Sequence, residues 1–140
     1  RFYEPTVDLD ALEVRRMLTP STSADLPLRL HALAVLSTTS ELSLGCSGGV
    51  HSGEDAARAI LCGAHVVQVA SSLMEHGPAH IAKLRSGLLH WLDGKGYATS
   101  AEARGVLNLE RAPDPTAWTR MNYLRTLEGW RDHSSWRTRP

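Results

Sequence analysis

The sequence predicts an α/β fold in which parallel strands alternate with helices. Apolar residues recur at helical spacing in three segments, centred on residues 30–35, 56–60 and 81–92. Two short apolar segments, residues 42–46 and 65–70, lie between them and have the length and composition of buried strands. The connections are short, which is typical of βα units with right-handed crossovers and a parallel sheet.

The helix boundaries follow from capping residues. Asp25 is placed to cap the first helix, with Pro27 in its first turn, and the pattern breaks near Ser37. Ser52, with an acidic residue three positions later, predicts a capping box at the start of the second helix. Gly63 then closes that helix at the C′ position.

The third helix follows the second strand. The strand, His65–Ala70, has few polar residues, which favours burial on both faces of a parallel sheet. Pro78 opens a long helix, and Gly94 and Gly96 end it. We expect its apolar face to comprise Ile81, Leu84, Leu88, Leu89 and Leu92.

The two ends of the chain are less regular. Residues 1–22 predict an extended or looping segment with a short hairpin around Leu12–Leu18, and Asp8 and Asp10 are interpreted as solvated loop carboxylates. We place the barrel-type βα units in residues 1–96 and a C-terminal extension in residues 97–140. In that extension we expect a helical turn at Ser100–Arg104, a loop at Pro113 and Pro115, a final helix at Trp118–Trp130 and a frayed end.

Composition excludes some classes of partner. Lys plus Arg and Asp plus Glu both number 15, so the net charge of zero gives no reason to expect nucleic acid or an anionic membrane. No apolar run approaches the ~20 residues that cross a bilayer, and no signal segment stands at the start. Cys46 and Cys62 are expected to be reduced and buried in a cytoplasmic protein.

The most informative feature is the Gly48-Gly49 turn between a predicted strand and a predicted helix. Glycines allow close approach of the backbone to a ligand, and the first-turn amides of the helix favour an anion. A second strand end, Ala70-Ser71-Ser72, follows one βα unit later, and in a barrel the two ends would be neighbours. The pattern favours a phosphate site, and the alternative is a tight turn that binds nothing.

Other polar residues give weaker indications of a functional site. His76 and His80 are four residues apart, but Gly77-Pro78 between them argues against a shared helical face, so no metal site is predicted. His51 either touches a ligand or is an exposed histidine of the capping region. Cys46 has no evident base or orienting partner, so no catalytic residue is assigned.

Two segments resemble the dihydroorotate dehydrogenase family. Residues 47–56, SGGVHSGEDA, resemble the family's GGI-x-(S/T)-x-x-D-A turn, and residues 61–73, LCGAHVVQVASSL, resemble its LLAGA-x-x-VQVG(T/S)AL segment. The flanks are most similar to bacterial dihydroorotate dehydrogenase-like proteins. Two departures stand out, since Ala70 replaces a glycine and the Ser21-Thr22-Ser23 loop lacks the glycines of many members.

The resemblance implies the C-terminal portion of a (β/α)8 TIM barrel with a helical C-terminal tail, from an enzyme that binds FMN and oxidises dihydroorotate to orotate in pyrimidine biosynthesis. Gly48 and Gly49 would offer amides to the FMN phosphate, and Ala70 and Ser71 would complete that grip. The catalytic base and the residues that hold the small-molecule substrate would lie upstream of Arg1. On its own, such a portion would leave strand edges and one barrel face uncovered.

Two alternatives stay open. One is another phosphate-binding TIM-barrel flavoenzyme, and the other is a non-catalytic fragment with a structural role. A homodimer is compatible with either.

Overall fold

A β-hairpin opens the part of the chain, residues 4–119, that the computed structural model describes. Strands β1 (Glu4–Asp8) and β2 (Glu13–Met17) pair antiparallel. The expected hairpin is therefore present, but it begins earlier than residues 12–18. The Asp8 carboxylate accepts hydrogen bonds from the amides of Asp10 and Ala11 and pairs with Arg15, so it holds the turn instead of lying free in solvent.

Helix α1 (Leu26–Thr39) follows a 3-10 turn at Ser23–Asp25. Asp25 is the N-cap residue, as predicted, but its carboxylate accepts from the Thr22 amide and not from an amide of the helix. The helix extends two residues past the predicted end at Ser37. Its buried face of Leu26, Leu33 and Ala34 forms part of the main core.

A parallel strand pair encloses the second helix. Strands β3 (Gly45–Ser47) and β4 (Val66–Gln68) are joined through α2 (Gly53–Leu61), which confirms the predicted β-α-β order. Both strands are shorter than expected. Val66 is 52% exposed, so burial of the second strand on both faces was a wrong expectation. Within residues 4–119, β3 and β4 pair only with each other, so the outer edge of each strand has no partner strand.

Two helices follow β4. The short helix α3 (Ser71–His76) was not predicted, and Gly77, with a φ of +82°, separates it from α4 (His80–Gly94). The apolar face of α4 is narrower than predicted. Leu84 and Leu92 are buried, whereas Ile81 and Leu89 are each 51% exposed. The reason is that α4 packs mainly on α2, so only the side toward that helix is covered.

The contact between α2 and α4 includes backbone. A Cβ atom on Gly53 would lie 2.3 Å from the Leu88 nitrogen and 2.4 Å from the Gly87 carbonyl carbon. A Cβ on Gly87 would in turn lie 3.3 Å from the Gly53 Cα. The two helices therefore meet at a pair of glycines, where a side chain at Gly53 would overlap the α4 backbone and one at Gly87 would be tight.

The segment after α4 returns to the core. It contains α5 (Ser100–Ala103), as predicted, and a 3-10 helix at Pro115–Trp118. The Leu109 amide donates to the carbonyl of Ala34 in α1, which ties this segment to the first helix. The predicted final helix from Trp118 to Trp130 lies almost entirely outside the described residues. No helix in residues 4–119 is long and apolar enough to cross a membrane.

Candidate functional site

A cavity of about 230 Å³ lies where strands β3 and β4 end. All four residues that the sequence predicted for a phosphate site line it. The turn after β3 contributes Gly48 and Gly49, and the segment after β4 contributes Ala70 and Ser71. The full lining is Ser21, Ser47, Gly48, Gly49, Val50, Gln68, Val69, Ala70 and Ser71. The parallel pairing of β3 with β4 brings the two chain segments together, because the carboxyl ends of parallel strands share one edge of the sheet.

The turn after β3 depends on glycine for two reasons. Gly48 and Gly49 have φ values of +87° and +83°, in the left-handed region that other residues rarely adopt. At Gly49 there is also no space, since a Cβ would lie 2.6 Å from the Leu26 nitrogen and 2.8 Å from the Leu26 Cα. The first turn of α1 therefore presses directly on the backbone of the Gly48-Gly49 turn.

The guanidinium group of Arg29 lies beside Gly48. A Cβ on Gly48 would lie 3.5 Å from both Nε and Nη2 of Arg29, at ordinary contact distance. Arg29 donates from Nη1 to the Asp25 carbonyl and from Nε to the Ser47 carbonyl. Its positive charge is thus fixed next to the turn, where it favours an anion in the cavity.

A buried hydroxyl network crosses the cavity. The Gly49 amide donates to Ser21 Oγ at 3.0 Å, and the Ser21 amide donates to Ser71 Oγ at 2.9 Å. The two hydroxyl oxygens, Ser21 Oγ and Ser71 Oγ, also lie 2.9 Å apart. Ser21 is only 8% exposed, so these bonds have little competition from water. From the sequence, Ser21 was expected only to lie in a loop, because its hydrogen-bond partners are 28 and 50 residues away.

Some backbone donors at the cavity are available. Among residues 4–119, no hydrogen-bond acceptor is found for the amides of Gly48 and Ala70. Ala70, which departs from the family's glycine, has a φ of −131°, so its side chain causes no left-handed strain. Next to Ser71, the side chain of Ser72 is completely buried, and its hydroxyl has no partner in the described part of the chain.

The carboxylate of Asp55 holds the loop between the glycine turn and α2. The capping box predicted with Ser52 is present, since Ser52 Oγ accepts from the Asp55 amide and Asp55 accepts from the amides of His51 and Ser52. Arg58 also donates to Asp55, at 2.7 Å. Burial alone would raise the pKa of Asp55, but the hydrogen bonds from His51, Ser52 and Arg58 outweigh it, and the pKa lies below its ordinary value.

The histidines have structural surroundings. His51 is half-buried in the capping region, and its Nε2 lies 2.6 Å from the Ser21 carbonyl oxygen. It is therefore less exposed than the solvent-exposed capping histidine that was one of the two expectations. The rings of His76 and His80 are 4.7 Å apart, yet α3 ends at the first and α4 begins at the second. Across residues 4–119 no group of three or more metal-ligating side chains forms.

Both cysteines are free and buried, as predicted. Burial raises the pKa of the Cys46 thiol, although nearby Arg29 acts in the opposite direction. Burial, together with the neighbouring Cys46, raises the pKa of the Cys62 thiol to about 11. Neither thiol therefore has the character of a nucleophile.

Comparison with known proteins gives one consistent family. Residues 28–92 match the sequence model of dihydroorotate dehydrogenase. The chain is similar to dihydroorotate dehydrogenase (fumarate) of Trypanosoma cruzi, with 49% identity over 65 residues, which are 46% of this chain and 20% of that protein. It is also similar to dihydroorotate dehydrogenase A (fumarate) of Lactococcus lactis subsp. lactis, with 34% identity over 67 residues, 48% of this chain and 22% of that protein. The chain thus spans about a fifth of the length of the curated relatives it matches.

Solved structures agree in fold. The crystal structure of DHODH from Eimeria tenella in complex with ferulenol superposes with a TM-score of 0.57 and 21% identity. The superposition covers 74% of this chain and 29% of that one. The sequence match includes the glycine turn and the Ala70-Ser71 strand end but not Ser21. Residues 28–92 of this chain are therefore similar to a segment of dihydroorotate dehydrogenases.

Proposed function

We propose that this chain forms the FMN phosphate site of a dihydroorotate dehydrogenase-like oxidoreductase and corresponds to the C-terminal portion of its (β/α)8 barrel. The observation that carries the proposal is the cavity at the ends of β3 and β4. There the Gly48-Gly49 turn faces Ala70 and Ser71 across a small space. In (β/α)8 barrels, phosphate sites are frequently built from the loops after two consecutive strands.

The size of the cavity fits a phosphate group and not a whole flavin. Pockets that enclose entire small molecules measure about 300–1,000 Å³. The 230 Å³ here is below that range but several times the ~30 Å³ occupied by one water molecule. A phosphate monoester would therefore enter, while the ring system attached to it would lie outside this cavity.

The donors also fit an anion. Gly48 and Ala70 offer backbone amides, Ser71 offers a hydroxyl, and the Arg29 charge lies behind the glycine turn. Hydrogen bonds from such donors to a charged oxygen are about twice as strong as those between neutral groups. When bound, FMN supplies the hydride-accepting chemistry, and the protein supplies binding and orientation.

We propose the oxidation of dihydroorotate for a longer enzyme that includes this chain, and not for the chain alone. No catalytic residue is assigned within this chain, which spans about a fifth of its curated relatives. We therefore expect the 140-residue chain to bind the phosphate end of FMN without oxidising dihydroorotate. A longer protein that includes it would turn over dihydroorotate, whereas turnover of a different substrate would favour another flavoenzyme.

The test compares two flavins that differ only in the phosphate. The purified chain is titrated with FMN and with riboflavin, and binding is followed by quenching of flavin fluorescence. We expect FMN to bind at least tenfold more tightly than riboflavin, and inorganic phosphate to compete with it. Equal affinities for the two flavins would refute the phosphate site and favour a purely structural role for this segment.

A further inference from the structure

Ser21 occupies one of the backbone donors of the Gly48-Gly49 turn. The Gly49 amide already donates to Ser21 Oγ at 3.0 Å, and the same oxygen lies 2.9 Å from Ser71 Oγ. The hydroxyl of Ser21 therefore stands between the two strand ends, in contact with one residue from each. Ser21 lies outside residues 28–92, the segment that matches the family model.

An amide has a single hydrogen, so it cannot make a full hydrogen bond to two acceptors at once. An anion that takes the Gly49 amide must first break the bond to Ser21. The exchange is favourable because a charged oxygen is a stronger acceptor than a neutral hydroxyl. The hydrogen bond to Ser21 is nevertheless lost, and its net free energy is subtracted from the binding free energy of the anion.

We propose that Ser21 is a built-in competitor for the phosphate, whose hydroxyl fills the Gly49 amide until a phosphate monoester displaces it. The inference rests on the proposed phosphate site. Ser21 is held in this position from its backbone as well, because its amide donates to Ser71 Oγ and its carbonyl lies 2.6 Å from His51 Nε2. The backbone contacts remain when the side chain is shortened, so the hydroxyl can be removed with little other change.

The experiment removes the hydroxyl and measures binding. The 140-residue chain is compared with its Ser21→Ala variant in titrations with FMN and riboflavin. The net value of a typical hydrogen bond predicts that Ser21→Ala binds FMN about three- to tenfold more tightly. Riboflavin, which lacks the phosphate, should bind both proteins equally. Ser23→Ala is the matched control, since its hydroxyl faces Asp55 and not the glycine turn.

The possible outcomes separate the two proposals. If wild-type chain prefers FMN to riboflavin and Ser21→Ala binds FMN with unchanged or lower affinity, Ser21 is not a competitor, while the phosphate site stands. If neither protein distinguishes FMN from riboflavin, the phosphate site itself is wrong, and the role of Ser21 falls with it. Ser21→Gly removes the same hydroxyl and provides a second variant should the alanine protein not fold.

Discussion

Substituting alanine at Gly49 separates two physical costs that coincide at the glycine turn. The first is backbone strain, because φ at Gly49 is +83° and a left-handed alanine costs about 1–2 kcal/mol. The second is overlap, because the new Cβ would lie 2.6 Å from the Leu26 nitrogen, and such overpacking typically costs about 1–3 kcal/mol. Together they predict that Gly49→Ala lowers the free energy of unfolding by about 2–5 kcal/mol, a large part of the ~5–15 kcal/mol of a typical domain.

The neighbouring glycine supplies the control. Gly48 has nearly the same φ, +87°, but a Cβ there would lie 3.5 Å from the Arg29 guanidinium, which is ordinary contact. Gly48→Ala should therefore cost only the strain, about 1–2 kcal/mol. Gly77→Ala, far from the cavity and with nothing within 4 Å, should cost about 1–3 kcal/mol from strain alone, because its φ of +82° and ψ of 166° lie in a region essentially restricted to glycine. Urea unfolding of the three variants measures the differences, and equal destabilisation at all three positions would refute the packing of Leu26 against the turn.

Three further predictions use other buried groups. Asp55→Asn should lower the free energy of unfolding by about 2 kcal/mol near neutral pH. The pKa of Asp55 is lowered in the folded state, so this stabilisation is present above the carboxyl's ordinary pKa and is lost as the pH falls below it. Urea unfolding near pH 3 should therefore show a smaller difference in stability between wild type and Asp55→Asn. A difference that does not change with pH would contradict this. Ser72→Ala removes a buried hydroxyl without a described partner and should raise the thermal midpoint, by the equivalent of ~1 kcal/mol, whereas a lower midpoint would indicate a hidden bond. Both buried cysteines, Cys46 and Cys62, should resist a thiol reagent in the native chain and react in denaturant, and burial raises the pKa of the Cys62 thiol to about 11. Rapid labelling of the native chain would instead show that the thiols are accessible.

Local patterns predicted the parts of this fold that depend on neighbouring residues. The capping box of Ser52 and Asp55 could be identified because its partners are three positions apart, and Gly63 is the left-handed residue after α2, as expected. The order strand, helix, strand followed from hydrophobic spacing alone. The cavity could also be located from sequence, because the two candidate segments each follow a strand in a parallel arrangement.

Interactions between distant segments could not be predicted in this way. Ser21 joins Gly49 and Ser71 only after the chain has folded, and its sequence surroundings indicate nothing more than a loop. Helix α3 was missed because six residues before Gly77 and Pro78 are too few for a periodic pattern. The face of α4 was overestimated because spacing identifies apolar side chains but not whether another element covers them, as Ile81 and Leu89 illustrate.

The glycine pair between α2 and α4 has a consequence for how sequence change can accumulate here. Gly53 is the first residue of α2, immediately after the Ser52 cap, and it touches the backbone at Gly87 and Leu88. Any side chain at Gly53 must push α4 away or displace the start of α2. A displaced start of α2 would also move the adjoining loop that joins it to the Gly48-Gly49 turn. A substitution at Gly87, on the face of α4 that packs against α2, can therefore alter the geometry of the glycine turn without touching it. Glycine is thus expected to be required at Gly53, whereas Gly87, 34 residues later, should accept alanine at the cost of a small shift between the helices.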